Sequence, residues 1–164
     1  MSTRADFTDE EWNRLGRAPL VAALAISIAD PGGPIEVLRE SGAALRTIAE
    51  AASDGRYGAF VTAVAADTAA KTKRRENPLG GFRPSGSEAR DQILDELRRV
   101  EALLVAKADE TEADEFREWL RISAQRSAMA AREGGFLGIG GERVSEREQE
   151  MLGQLGEIFG TPSA

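Results

Sequence analysis

Ile93-Leu94-Asp95-Glu96-Leu97-Arg98-Arg99-Val100-Glu101-Ala102-Leu103-Leu104-Val105-Ala106-Lys107-Ala108 decides the fold class of this chain. Its apolar residues recur at spacings of three, four and seven, as they do along one face of an α-helix: Ile93, Leu94, Leu97, Val100, Leu104 and Ala108. We expect this stripe to face a core, and we expect four charged residues to face away from it: Arg90, Glu96, Arg99 and Glu101. The stretch therefore predicts an amphipathic helix that packs against other helices.

The amino-acid composition also favours helices over strands. Hydrophobic residues make up 41% of the chain; alanine supplies 27 of them, whereas valine and isoleucine together supply 15. Alanine loses no side-chain entropy in a helix, and the β-branched residues are the better strand formers. We therefore predict an all-α fold, a compact bundle of six or seven helices. Two pseudo-repeated helical halves are one arrangement that such a bundle allows.

The length of 164 residues fits one domain. We expect a single all-helical domain over residues 1–164. One candidate internal boundary lies at residues 76–87, because this segment contains two prolines and three glycines.

Capping residues and helix breakers predict where the first helices begin and end. Thr8 and Glu11 form a capping box, which predicts a short helix that Gly16 and Pro19 interrupt. A second helix is expected over residues 19–29. Its apolar residues form the longest apolar run, which is far shorter than the ~20 residues that span a bilayer. We predict no membrane span and, because no charged-then-apolar leader pattern opens the sequence, a cytoplasmic protein.

Later helices are predicted by the same signals. Thr111 with Asp114 predicts the start of one helix, and Ser145 with Glu148 is a capping box that predicts the start of the last one.

Cysteine and histidine are both absent from the sequence. This excludes disulfides, thiolate chemistry, Cys/His zinc sites and nucleophiles activated by histidine. The net charge of −7 disfavours nucleic acid as a partner, because a phosphate backbone would be repelled. A short basic run, Lys71, Lys73, Arg74 and Arg75, is interpreted as a solvated helix end, and binding of an acidic partner is the alternative.

Residues 133–144, EGGFLGIGGERV, form a glycine-rich loop that carries three large apolar side chains. The glycines indicate backbone conformations that other residues avoid, whereas Phe136, Leu137 and Ile139 need cover from solvent. We expect this loop to close one end of the bundle. The alternative is an exposed apolar tip that contacts a partner or a lipid.

Neither a nucleotide site nor a calcium-binding loop is predicted. The glycine-rich loop lacks the glycine spacing of a dinucleotide fingerprint and the Lys-Ser/Thr of a P-loop, and a predicted helix precedes it where both motifs need a strand. Counting a twelve-residue EF-hand loop from Asp30 or from Glu133 places glycine, proline or leucine at positions that need oxygen ligands. We predict no catalytic residue, no cofactor and no metal ligand.

Trp12 and Trp119 are interpreted as core or groove residues. The alternative is that they border an apolar pocket together with Phe136, Leu137 and Ile139, which makes these five the candidate residues for ligand or partner contact.

The segments 130–135 (AAREGG) and 143–148 (RVSERE) resemble the repeated unit of the tellurite-resistance TerB-like helical proteins. That unit has a helix, an acidic-glycine turn, an apolar residue, and then Ser and Glu at the next helix. The resemblance implies an all-α fold of two related helical halves. It also implies a place in bacterial stress response or in envelope-linked complexes.

With no catalytic constellation in the sequence, we expect a non-enzymatic helical module that acts through protein contacts or self-association. A bundle that binds a small molecule or lipid in an apolar pocket is the first alternative. A divalent-cation sensor is the second.

Overall fold

The computed structural model describes residues 1–29, 34–53, 55–132 and 145–160, without side chains for residues 34–40 and 131–132. These residues contain six α-helices: α1 (Asp9–Ala29), α2 (Pro34–Ala51), α3 (Ala59–Lys73), α4 (Ala89–Lys107), α5 (Glu110–Arg132) and α6 (Glu146–Phe159). Short 3-10 turns, Arg4–Asp6 and Gly86–Glu88, precede α1 and α4. The described residues contain no strand, so the predicted all-α bundle is confirmed. None of these helices is both long enough and apolar enough to cross a bilayer.

Helix α1 lies at the centre of the bundle, where it contacts each of the other five helices. Every residue from Leu15 to Ala23 is buried, so this part of α1 is covered on all sides. Six of these nine residues are alanine, leucine or valine, and three are not: Gly16, Arg17 and Pro19. The small side chains allow neighbouring helices to approach α1 closely. Because α2, α3, α4 and α5 all contact it, α1 joins the helices on both sides of the connector 76–87.

The predicted break between a first and a second helix at Gly16 and Pro19 is wrong, because α1 continues through both residues. A proline inside a helix removes one backbone hydrogen bond and costs about 3 kcal/mol in an exposed helix. Here the burial of α1 on all sides offsets that cost, and neighbouring helices bond to its backbone. The hydroxyl of Ser123 on α5 donates to the Pro19 carbonyl at 2.9 Å.

Gly16 allows α3 to approach α1. The Thr68 hydroxyl of α3 lies 3.3 Å from the Gly16 carbonyl and 2.9 Å from the Val64 carbonyl, to which it donates. A Cβ atom added at Gly16 would lie only 2.6 Å from the Thr68 oxygen, whereas the Thr68 Cβ is 3.9 Å away. The oxygen is therefore the atom that restricts this position to glycine.

We expect Gly16→Ala to destabilise the protein by about 1 kcal/mol, since the clash exceeds the gain in helix propensity. In Gly16→Ala/Thr68→Ala the clashing oxygen is gone, and the added methyl group meets only the Cβ at residue 68. The loss of stability in the double variant should be smaller than the sum of the two single losses by about 1 kcal/mol or more. Urea unfolding of all four proteins measures this coupling. Additive free energies would show that the Thr68 oxygen does not restrict residue 16.

An unbroken row of aromatic rings runs through the core. Phe7 stacks on Phe60 with centroids 5.6 Å apart, and the Trp12 ring lies 6.3 Å from Phe60. Phe60 contacts Phe116 at 5.6 Å, and Phe116 meets Trp119 edge to face at 5.3 Å. This row connects the N-terminal segment to α1, α3 and α5.

Two of the predicted capping boxes are confirmed. The Thr8 amide donates to Glu11 at 2.7 Å and the Glu11 amide to the Thr8 hydroxyl at 3.2 Å. Ser145 and Glu148 make the same reciprocal pair at the start of α6.

The predicted start of α5 at Thr111 is wrong. Asp109 accepts from the Glu112 amide at 3.0 Å, and Glu112 accepts from the Asp109 amide at 3.3 Å. The helix therefore begins at Glu110. Aspartate is as good an N-cap residue as threonine, and here it comes first along the chain.

Candidate functional site

The five candidate contact residues fall into two groups. Phe136, Leu137 and Ile139 lie outside the described residues, so their role stays a prediction. Trp12 is 4% exposed and Trp119 is fully buried, and both rings belong to the aromatic row of the core. Among the described residues, the Trp119 indole N–H has no hydrogen-bond acceptor. Neither tryptophan borders the grooves and pockets described below.

Six acidic residues near the two glycine-containing turns are the ones from which a metal site could be built: Asp30, Glu36, Glu133, Glu142, Glu146 and Glu148. Asp30, Glu133 and Glu142 lie outside the described residues, and the side chain of Glu36 is not described. Glu148 accepts from the Ser145 amide at 2.8 Å, so it belongs to a helix cap. In the described part of the chain, no three acidic side chains come together as a metal-binding group.

The basic run lies at the end of α3, as predicted. Lys71 and Lys73 are in its last turn, and Arg74 is its C-cap residue. Lys71 pairs with Asp67 at 2.7 Å and Arg74 pairs with Glu76 at 2.6 Å. These contacts support the helix-end interpretation.

Among the described residues, a groove of about 920 Å³ lies between α4 and α6. It extends along α4 from Arg90 to Ala102, about 18 Å at 1.5 Å per residue, and along α6 from Glu150 to Ile158. Leu94, which is 6% exposed, and the half-buried Ile158 supply apolar surface inside it. We call this concavity the α4–α6 groove.

Charged side chains border the groove, and carboxylates predominate. Two guanidinium groups face four carboxylates on its walls: Arg90 and Arg98, with Asp91, Glu101, Glu150 and Glu157. Glu150 lies 3.5 Å from Arg90. Glu101 accepts from Arg117 at 2.6 Å, and this bond is the main reason that the pKa of Arg117 is raised above the usual arginine value.

Asp91 and Glu157 differ from the other acids of the groove. Both are exposed, and neither forms an ion pair or side-chain hydrogen bond with any described residue. Val105, 70% exposed, follows Arg98 and Glu101 at spacings of seven and four, so it continues the same face of α4 past the end of the groove. The groove thus combines mainly charged walls, a smaller apolar surface from Leu94 and Ile158, two unpaired carboxylates and an exposed apolar residue beyond one end.

A second concavity, of about 480 Å³, lies between α1, α4 and residues 81–83 of the connector. Its floor holds the buried pair Arg17 and Glu96, whose Nη2 and Oε1 atoms are 2.6 Å apart. Arg14 Nε donates to the same Glu96 oxygen at 3.0 Å, and Arg17 also pairs with Glu10 at 2.9 Å. Phe82 covers the Arg17 guanidinium, whose central carbon lies 5.8 Å from the ring centroid.

The predicted solvent-facing position of Glu96 is wrong, since this residue is only 3% exposed. A helical wheel places it among the charged residues of α4, but α1 lies against that face and supplies two arginines. Arg17 carries a sequence signal that the prediction did not use: it is the single charged residue between Leu15 and Ala29. A buried charge needs a partner of opposite sign, and Glu96 fills that role.

The same pocket also has two arginines on its rim, Arg83 and Arg99. Both are exposed, and within the described residues neither forms an ion pair or a hydrogen bond. We call this concavity the Arg83–Arg99 pocket. It was not predicted, because its residues are far apart in sequence and belong to no known motif spacing.

Comparisons with known proteins do not identify these sites. No family model, no curated protein and no solved structure matches this chain.

Proposed function

We propose that this chain is a non-enzymatic helical interaction module that binds a basic, amphipathic helix of a partner protein in the α4–α6 groove. The proposal includes the TerB-like architecture and the role in bacterial stress response that the sequence resemblance implies. The observation that carries it is the groove itself: a long concavity with apolar residues inside and an excess of carboxylates on its walls.

The dimensions of the groove suit a helix. A wall of about 18 Å along α4 accommodates roughly three turns of a partner helix lying beside it. Helices that bind in such grooves insert apolar side chains at spacings of three, four and seven. Leu94 and Ile158 would meet these side chains, and Val105 would extend the contact by one turn.

The charges of the groove determine the kind of helix that fits. Asp91 and Glu157 have no cation to face among the described residues, and an overall charge of −7 attracts a basic partner from a distance. Lysine or arginine on the flanks of the bound helix would pair with these two carboxylates. An acidic helix would meet four carboxylates and be repelled.

A small apolar ligand is supported less well. The groove and the pocket described above both have charged side chains on their walls, and the core residues around Trp119 are buried. Apolar ligands bind in pockets with mostly hydrophobic walls. The loop residues Phe136, Leu137 and Ile139 remain the candidates for that alternative.

The experiment uses two synthetic peptides of 18 residues that place leucine on one helical face and either lysine or glutamate on the other. We expect the lysine peptide to bind and the glutamate peptide not to bind, as measured by isothermal titration calorimetry at 0.15 M salt. Asp91→Arg should weaken binding of the lysine peptide about tenfold, which is about 1.4 kcal/mol. Asp91→Arg/Glu157→Arg should bind the glutamate peptide instead.

Glu110→Arg is the matched control. Like Asp91, Glu110 is an exposed acid in the first turn of a helix, so reversing its charge has the same effect on net charge and on the helix dipole. If Glu110→Arg weakens the lysine peptide as much as Asp91→Arg does, binding reflects net charge alone and the groove is not the site. An NMR titration in which the shifted backbone amides all lie outside α4 and α6 would also contradict the proposal.

A further inference from the structure

We propose that the Arg83–Arg99 pocket binds the phosphate group of a small phosphorylated molecule. This site is distinct from the α4–α6 groove, since the two concavities share no wall residue and the pocket lies where α4 contacts α1. The argument rests on the charges of the pocket, its free hydrogen-bond donors and the contacts that position the segment carrying Arg83.

Positive charge remains in excess inside the pocket after its internal ion pairs are counted. Arg14 and Arg17 on the floor pair with Glu10 and Glu96. The remaining carboxylate of the pocket, Asp95, pairs with Arg98 at 2.6 Å. No acid among the described residues neutralises Arg83 and Arg99, so the rim carries two positive charges in a chain whose net charge is −7.

A further donor faces the same space. The Gln92 side-chain oxygen accepts from the Ser85 amide at 3.1 Å, which leaves the NH₂ group of Gln92 available. Guanidinium and amide N–H groups are the donors that proteins use for phosphate oxygens. Two guanidinium groups match the charge of a phosphate monoester, whereas a carboxylate would neutralise only one of them.

The segment that carries Arg83 is held in place. The Phe82 amide donates to the Leu79 carbonyl at 3.1 Å, and the Phe82 ring lies on the Arg17 guanidinium. Asn77 closes the preceding turn, because its side-chain oxygen accepts from the Leu79 amide at 3.0 Å. These contacts position the segment beside the pocket, which lowers the entropy cost of binding.

The volume of about 480 Å³ allows a phosphate together with a small organic group, and the charged walls favour a polar group. The structure thus assigns this pocket to a small phosphate monoester. A phosphorylated segment of another protein is the competing source of the same chemistry, and the experiment separates the two.

The test is an NMR titration of the full chain with inorganic phosphate, glycerol phosphate, sulfate and a phosphoserine peptide, all at equal ionic strength. We expect glycerol phosphate to shift amides at residues 81–85 and 92–99, and to bind at least tenfold more tightly than sulfate. Arg83→Gln and Arg99→Gln should each weaken its binding about tenfold. Both side chains are exposed, so the variants should fold normally.

Arg147→Gln is the matched control, because Arg147 is an exposed arginine that also forms no ion pair with the described residues. If Arg147→Gln weakens glycerol phosphate binding as much as Arg83→Gln does, this pocket is not the binding site. Equal binding of sulfate and glycerol phosphate would overturn its specificity for phosphate. Binding of the phosphoserine peptide without binding of glycerol phosphate would overturn the assignment to a small molecule. None of these outcomes depends on peptide binding in the α4–α6 groove.

Discussion

Glu96→Ala is expected to lower the free energy of unfolding by about 3–5 kcal/mol, because it leaves the buried Arg17 guanidinium without its main partner. Glu96 is 3% exposed and Arg17 is 6% exposed, so little of either group is in contact with water, and Arg17 would keep only its pair with Glu10. Arg14 would lose the same oxygen, although it is more exposed and can turn towards solvent. For a chain of this length the change corresponds to a fall in melting temperature of roughly 6–20 °C.

Two further variants test whether the effect comes from an unpaired charge. Arg17→Met/Glu96→Leu replaces both charges with apolar groups of similar size, and we expect it to be far more stable than Glu96→Ala. Asp95→Ala removes a carboxylate from the neighbouring position of α4, where the pair with Arg98 is exposed, and should change stability by about 1 kcal/mol or less. Urea unfolding followed by circular dichroism measures all three. Similar losses in Asp95→Ala and Glu96→Ala would show that the buried pair has no special role.

The helices themselves were predictable because their signals are local. Thr8 with Glu11 and Ser145 with Glu148 each satisfy backbone donors within one turn, so no knowledge of the rest of the fold is needed. The stripe from Ile93 to Leu104 is buried as expected, because a period of 3.6 residues places it on one face.

The errors arose where distant residues override a local preference. Gly16 and Pro19 were expected to separate two helices, but α1 is surrounded by the other helices and the Pro19 carbonyl accepts a bond from Ser123. Glu96 was expected to face solvent, but α1 brings two arginines to that face of α4. In both cases the decisive contact joins residues that are about 80–100 positions apart in sequence.

Neither candidate site could be predicted for the same reason. Asp91 and Glu157 border one groove only because α6 packs beside α4, and Arg83 lines the same pocket as Arg99 only because the connector lies against α1 and α4. Sequence reasoning directed attention instead to residues 133–144, which lie outside the described residues. The glycine pattern there predicts a loop, but a loop sequence carries no information about what packs against it.

Helix α4 separates two surfaces of opposite charge. The side of α4 that carries Asp91 has unpaired carboxylates, and the side that carries Arg99 has an unpaired guanidinium. In each turn of the helix, a residue that faces one side is next in sequence to a residue that faces the other. Opposite charges kept apart in this way do not neutralise each other within the chain. Both therefore remain available to external partners, a basic helix on one side and a phosphate on the other.

The aromatic row gives the second large expected effect. Phe60 is 1% exposed and contacts three other rings: Phe7, Trp12 and Phe116. Phe60→Ala should destabilise the protein by about 3–5 kcal/mol, because it leaves a cavity and removes three aromatic contacts. The N-terminal segment should loosen first, since its Phe7 ring stacks directly on Phe60.

Urea unfolding measures the loss of stability in Phe60→Ala, and hydrogen exchange at the amides around Phe7 measures the loosening. Phe82→Ala is the control, since Phe82 is half-buried and its ring lies over a single guanidinium. We expect that variant to lose about 1–2 kcal/mol and to leave exchange near Phe7 unchanged. If Phe60→Ala is no more harmful than Phe82→Ala, the row of rings does not hold the N-terminal segment to the bundle, and α1 alone must position it. The α4–α6 groove is bordered by α4 and α6, neither of which is part of this row, so peptide binding by any folded Phe60→Ala protein should match the unaltered chain.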